Sequence, residues 1–198
     1  MALRKHVSTI DAPALAVRRA RAAPESGTHR RLLVRPVLTH PHALLARPSV
    51  QVDPTAPQIV AFANLLVATL RASGGIGLAA PQIGENIRLF AMDVSGHPDA
   101  ISCAGLVVLA NPRILARRGS TVFHESCKSV PYVTGDISRA AEVIVTGNVP
   151  GSGKNIVIPA DGIEASCLQH EIDHLDGVVF LDRVGDPVTD LFVHDPHT

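Results

Sequence analysis

The chain has no tryptophan, one tyrosine and five phenylalanines among 198 residues. So few aromatics exclude a base-stacking nucleic-acid platform, and no specific DNA binding is expected. There are three cysteines. An odd number, with no Cys-x-x-Cys pair and no signal peptide, excludes a disulfide scaffold and suits thiols in a reducing compartment. No apolar run approaches the roughly 20 residues of a membrane-spanning helix, so no membrane partner is expected. Net charge is also missing, since 18 Lys and Arg balance 18 Asp and Glu. The balance is uneven along the chain: residues 1–35 hold 8 basic and 2 acidic residues, and the remainder 10 basic and 16 acidic. The front is basic and the body mildly acidic.

What is present fits one globular domain, with 46% apolar residues to fill its core. Residues 1–31, rich in Ala and Arg without sustained periodicity, read as a basic, flexible extension. The domain proper spans 32–198. A helix is expected from about Thr55 to Ala72, capped by Asp53 or Thr55 and stopped by Gly74 and Gly75. Its apolar residues Ile59, Phe62, Ala63, Leu66, Val67 and Leu70 recur at helical spacing. Strands are expected at Ile87–Val94, Leu106–Ala110, Ala141–Val145 and Ile156–Ile158, with a loop at Pro98–Ser102.

The clearest element is a second helix. Asp161 and Glu164 form a capping-box-like pair at its start, and Gly177 is placed to end it. Ile163, Cys167, His170 and His174 follow one another at steps of four, three and four, so they share one face. His170-Glu171-Ile172-Asp173-His174 reads H-E-x-x-H. Positions four apart differ by about 40° in direction and about 6 Å in rise, so two imidazoles can bite one ion from adjacent turns. Glu171 lies one step round the helix, where a general base for an activated water belongs. The alternative is two surface histidines on a charged helix.

Catalytic metal sites keep three protein ligands and an open position. A metzincin protease would place a third histidine where this chain has Phe180, which cannot ligate. After His174 there is no Glu either. An upstream thiolate is the remaining good candidate, and Cys127 sits in the polar run Glu125-Ser126-Cys127-Lys128-Ser129. Its alternative is an ordinary half-buried cysteine. Cys167 and His174 are about 10.5 Å apart along a helix axis, too far for one ion, so Cys167 is expected in the core. Cys103, among small residues in a loop, is expected to be structural.

With Gly75-Ile76-Gly77-Leu78-Ala79-Ala80-Pro81-Gln82 upstream, Cys127 between, and Gln169-His170-Glu171-Ile172-Asp173-His174-Leu175 downstream, the chain resembles the peptide deformylases from about Leu32 to Val184. The resemblance implies an α+β fold, with antiparallel sheets packed around a central helix carrying H-E-x-x-H. It implies one divalent ion per chain held by Cys127, His170 and His174, usually Fe²⁺ in the family, with Zn²⁺ or Ni²⁺ as substitutes. It implies removal of the N-formyl group from the initiator methionine of newly made polypeptides. Formyl-methionyl nascent peptides are then the partners, with transient ribosome contact, in the cytoplasm. An organelle is the alternative if 1–31 acts as a transit peptide.

The residues suit that chemistry. Glu171 can take a proton from water and pass it to the leaving amine. The Gln82 side-chain N–H and the Lys128 backbone N–H can stabilise the oxyanion. Gly75 and Gly77 allow close approach of a peptide backbone, with Ile76 beside them. Glu125 joins the substrate-binding set, and Arg139 matches a family position near the substrate path; its alternative is a solvated arginine at a strand start.

Two residues depart from the family's usual Glu-Gly-Cys-Leu-Ser. Ser126 adds a Cβ and a hydroxyl beside the thiolate, and Lys128 puts a cation where an apolar side chain commonly lines the site. They keep open a diverged paralogue acting on another small N-formyl or N-acyl compound. A non-catalytic metal-binding descendant is the third reading, and it requires a fourth protein ligand.

Overall fold

The computed structural model of the chain describes residues 34–194, so the basic extension expected at 1–31 lies outside them. Helix α1 (Pro57–Ser73) starts on a proline, whose missing N–H would have no helical partner there. Asp53 and Thr55 do not cap it: Asp53 Oδ1 accepts from the backbone N–H of Thr55 at 2.9 Å and from its hydroxyl at 2.7 Å. Gly74, left-handed at φ 67°, ends the helix as expected.

Strands β1 (Gly77–Ala79), β2 (Leu89–Met92) and β3 (Val107–Arg118) follow. After them come β4 (Thr121–Cys127), β5 (Val130–Arg139), β6 (Glu142–Asn148), β7 (Asn155–Asp161) and, near the end, β8 (Leu191–Val193). Five pair in the order β1-β2-β3-β6-β7 and three in the order β4-β5-β8. All these pairings are antiparallel. Helix α2 (Gly162–Leu175) carries His170-Glu171-Ile172-Asp173-His174. The α+β expectation holds.

Strand β2 explains why four consecutive apolar residues form a strand and not a helix turn. Leu89 and Ala91 face α1, packing with Leu66, Leu70 and Leu78. Phe90 and Met92 face α2, packing with Leu168, Ile172 and Leu175. A strand covered on both faces loses the polar alternation of a half-exposed one. A third cluster, Cys127, Val130, Ile137 and Phe180, lies on the small sheet.

Two expectations need correction. β3 does not stop at Ala110: Asn111-Pro112 reads as a turn signal, but here it forms an irregularity inside a twelve-residue strand. Asn111 takes φ 52°, and its amide accepts from Val52 N–H at 3.0 Å and donates to Val52 C=O at 2.8 Å, which fixes the kink. The expected capping box of α2 is also absent. Asp161 Oδ1 accepts from Ser102 N–H at 3.0 Å, and Glu164 Oε1 from Ala104 N–H at 2.6 Å. Both carboxylates pin the 98–104 loop to the helix start.

Candidate active site

The hairpin β4–β5 brings Cys127 to α2. Cys127 pairs with Val130 across a two-residue turn, Lys128-Ser129. Burial along β4 alternates, with Glu125 and Cys127 inward and His124 and Ser126 outward. From α2, His170, Glu171 and His174 face the same space. One donor atom from each of Cys127, His170 and His174 lies within 4.8 Å of the others. Cys127 Sγ and His174 Nε2 are 3.2 Å apart. Ligands at about 2.0–2.3 Å from one tetrahedral ion stand under about 4 Å apart, so small side-chain adjustments close this set. Among the described residues no fourth His, Cys, Asp or Glu joins the group.

The supporting shell fits a metal centre. His170 Nδ1 sits 2.9 Å from Glu125 Oε2, which fixes the ring and leaves Nε2 for an ion. Cys127 Sγ accepts weakly from Ser129 N–H at 3.4 Å and from Gln82 Nε2 at 3.5 Å. His174 Nδ1 and Glu171 Oε2 are buried without a protein partner, so the pocket holds polar atoms that call for another group. Burial pushes His174 well below the usual imidazole range, so its neutral, ligating form is favoured. Burial works against His170 too, but hydrogen bonds to Cys127 and Glu125 outweigh it and raise it. Burial raises Glu171 to about 7 against the pull of His170 and Arg139.

A cleft of about 160 Å³ opens onto these groups, lined by Gly75, Ile76, Gly77 and Gln82 on one side and by Ser126, Cys127, Lys128 and α2 on the other. It is smaller than the roughly 300–1,000 Å³ of sites that enclose a whole drug-sized ligand, so it has room for only part of one. Strand β1 is an edge strand. Ile76 C=O accepts from Asp93 N–H at 2.8 Å, so by alternation the Gly77 N–H and C=O point to the unpaired side.

Several expected site residues take other positions. Gly77 does give close approach, but to α2: a Cβ there would collide with the Glu171 carboxylate and stand 2.9 Å from Cys167 Sγ. Gly77→Ala is therefore expected to cost about 1–3 kcal/mol in denaturant melts and to displace Glu171, lowering turnover as well. Gln82 is buried, with Oε1 accepting from Ala79 N–H at 2.8 Å and Nε2 donating to Ser129 Oγ at 3.1 Å. Its long bond to Cys127 is the one free to turn toward an oxyanion.

Arg139 does not line the cleft. It is buried, with its guanidinium on both Glu125 oxygens and, at 2.8 Å, on Asp173 Oδ2. Glu125 reaches the cleft wall, but its oxygens are occupied by Arg139, His170 and Ser166. Both residues were expected to bind substrate; here they build an ion network behind His170, with Arg183 joining on Asp173 at 2.7 Å. Burial opposes ionisation of Glu125, yet His170 and Arg139 hold it down at about 2. Cys167 is buried in the core as expected, and Cys103 is exposed, not structural. The supporting roles of Ser129, Ser166, Asp173 and Arg183 have no local sequence signature, because their partners lie 10 to 47 residues away.

A cysteine and two histidines around one ion position, with a buried glutamate beside them and an open cleft in front, define a mononuclear metal-dependent hydrolase. The polypeptide deformylase family model matches residues 34–189. The peptide deformylase of Syntrophobacter fumaroxidans is 35% identical over 156 residues, covering 79% of this chain and 89% of that protein. That of Carboxydothermus hydrogenoformans is 41% identical over 127 residues, covering 64% and 78%. A crystal structure of a peptide deformylase from Legionella pneumophila superposes with a TM-score of 0.71 at 33% identity, covering 79% of this chain and 88% of that one. A Met-Ala-Ser-bound deformylase from Acinetobacter baumannii gives a TM-score of 0.70 at 29% identity, covering 77% and 99%. The chain belongs to the polypeptide deformylase family of metal-dependent hydrolases.

Proposed function

We propose that the chain removes the formyl group from N-formylmethionyl peptides, with Cys127, His170 and His174 holding one divalent ion and Glu171 as the proton carrier. The convergence of those three donor atoms within 4.8 Å carries this reading. Fe²⁺ is the expected ion, with Zn²⁺ or Ni²⁺ as substitutes, since thiolate and imidazole accept all three. When bound, such an ion supplies Lewis-acid chemistry, lowering the pKa of water and polarising a carbonyl.

The chain's own residues do the rest. A peptide laid along the outer edge of β1 pairs with the Gly77 backbone and brings its formyl end to the cleft floor. The Acinetobacter relative holds a short peptide, Met-Ala-Ser. Glu171 takes a proton from the attacking water and returns it to the departing amine nitrogen. The Gln82 amide and the Lys128 backbone N–H face the oxygen that gains charge. Glu125, itself held by Arg139, keeps the His170 ring in register.

The test is an anaerobic preparation assayed for bound metal and for turnover of formyl-Met-Ala-Ser together. One ion per chain with turnover is the expected result, and metal-loaded protein without it would refute the activity. Cys127→Ala should lose both the ion and the activity; a fully loaded variant would exclude Cys127 as a ligand. Cytoplasmic location and transient ribosome contact complete the reading; among the described residues no helix is long and apolar enough to cross a membrane.

A further inference from the structure

The turn between β4 and β5 places one cation at the mouth of the cleft. Lys128 is exposed, and among the described residues its ammonium makes no hydrogen bond or ion pair. Its side chain does not trail into solvent. Cε comes within 3.8 Å of where a Cβ on Gly75 would stand, so the lysine leans from the β4–β5 wall toward the start of β1. That start leads into the edge along which a peptide would pair.

The other charges of the cleft are spent or hidden. Glu125 is neutralised by Arg139 and His170, and Glu171 is buried. His124 and His97 line the mouth too, but each ring is engaged: His124 Nδ1 sits 2.7 Å from Asp136 Oδ1, and His97 Nδ1 accepts from the Asp99 backbone N–H at 3.2 Å. Among the described residues that line the cleft, Lys128 is thus the one uncompensated charge that an incoming peptide meets. An extended peptide advances about 3.4 Å per residue, so the residues just after the methionine pass within one lysine side chain of the reacting end.

Resting on the deformylase reading, we infer that Lys128 selects substrates carrying an acidic residue directly after the formylmethionine. The interaction is a partly solvated ion pair made along the peptide. It therefore changes KM and association more than the chemical step, and salt weakens it.

The experiment compares kcat/KM of the metal-loaded enzyme for formyl-Met-Glu-Ser, formyl-Met-Ala-Ser and formyl-Met-Lys-Ser at low salt and at about 0.5 M salt. The expected order is Glu above Ala above Lys. A Glu-to-Lys ratio of about tenfold is expected, carried by KM and shrinking at high salt. Lys128→Gln should bring the ratio toward one, and Lys128→Glu should invert it. Only ratios are read, so a shared loss of rate from either substitution does not blur the outcome. Turnover of all three peptides with a wild-type ratio near one, or a ratio unmoved in both variants, overturns the inference alone. No turnover of any formyl peptide overturns the deformylase reading and the inference with it.

Discussion

Glu171→Gln is expected to lower kcat by about 10²–10⁴-fold while the protein folds and keeps its metal. The size follows from the role: a positioned group that shuttles one proton supplies that much, and Gln keeps the shape without the basicity. The metal should stay because Glu171 is outside the cysteine and histidine donor set. Rate and metal content must be measured on one sample, since a loss of both would make Glu171 a structural support. A second signature appears in the chelated protein. The folded carboxyl sits at about 7 against a usual 4.5, because burial disfavours its charge. The native state therefore holds this proton more tightly than the unfolded chain. That contribution is fully present below pH 4.5 and is lost as pH rises through 7. Urea midpoints of the chelated wild type should fall over that interval, and Glu171→Gln should remove this part of the slope.

The sequence made the helical half of the site readable and hid the sheet half. His170, Glu171 and His174 sit at spacings that one helix turn explains, so local periodicity sufficed. Cys127 was reachable only by elimination among donors. Its strand stayed invisible because β4 turns Glu125 and Cys127 inward and His124 and Ser126 outward. Both faces mix polar and apolar residues, with Phe123, Glu125 and Cys127 on one and Val122, His124 and Ser126 on the other, and a hydropathy alternation cannot register that. β2 shows the opposite blindness: its apolar run marks a strand but does not say that α1 covers one face and α2 the other. Gly77 was legible as a place of close approach, yet the approaching group is the Glu171 carboxylate, a contact 94 residues away in sequence. Arg139 was misplaced for the same reason. A lone arginine at a strand start looks solvated until Asp173 and Glu125 arrive from two other elements.

That network carries the largest expected loss of stability. Arg139→Met should destabilise the protein by about 3–5 kcal/mol, because it leaves the buried Glu125 and Asp173 carboxylates without the cation they share. The Arg139 and Glu125 side chains are 4% and 5% exposed, so water cannot replace the missing charge. Arg183→Met, which breaks the other contact to Asp173, should cost no more than about 1 kcal/mol, because the Arg183 side chain is 49% exposed. Acid unfolding separates charge from packing. In the wild type Glu125 is held at about 2, below its usual 4.5, so its contribution is present above pH 4.5 and is lost as pH falls through 2. In Arg139→Met that lowering shrinks to what His170 alone sustains, and the acid limb of the stability curve flattens. Adding Glu125→Gln should recover part of the loss by removing one stranded charge. The double variant should still bind metal about 10–100-fold more weakly, because a neutral amide orients the His170 ring less firmly than the carboxylate it replaces. Equal destabilisation by Arg139→Met and Arg183→Met would mean that packing, and not the buried charge, holds the back of the site together.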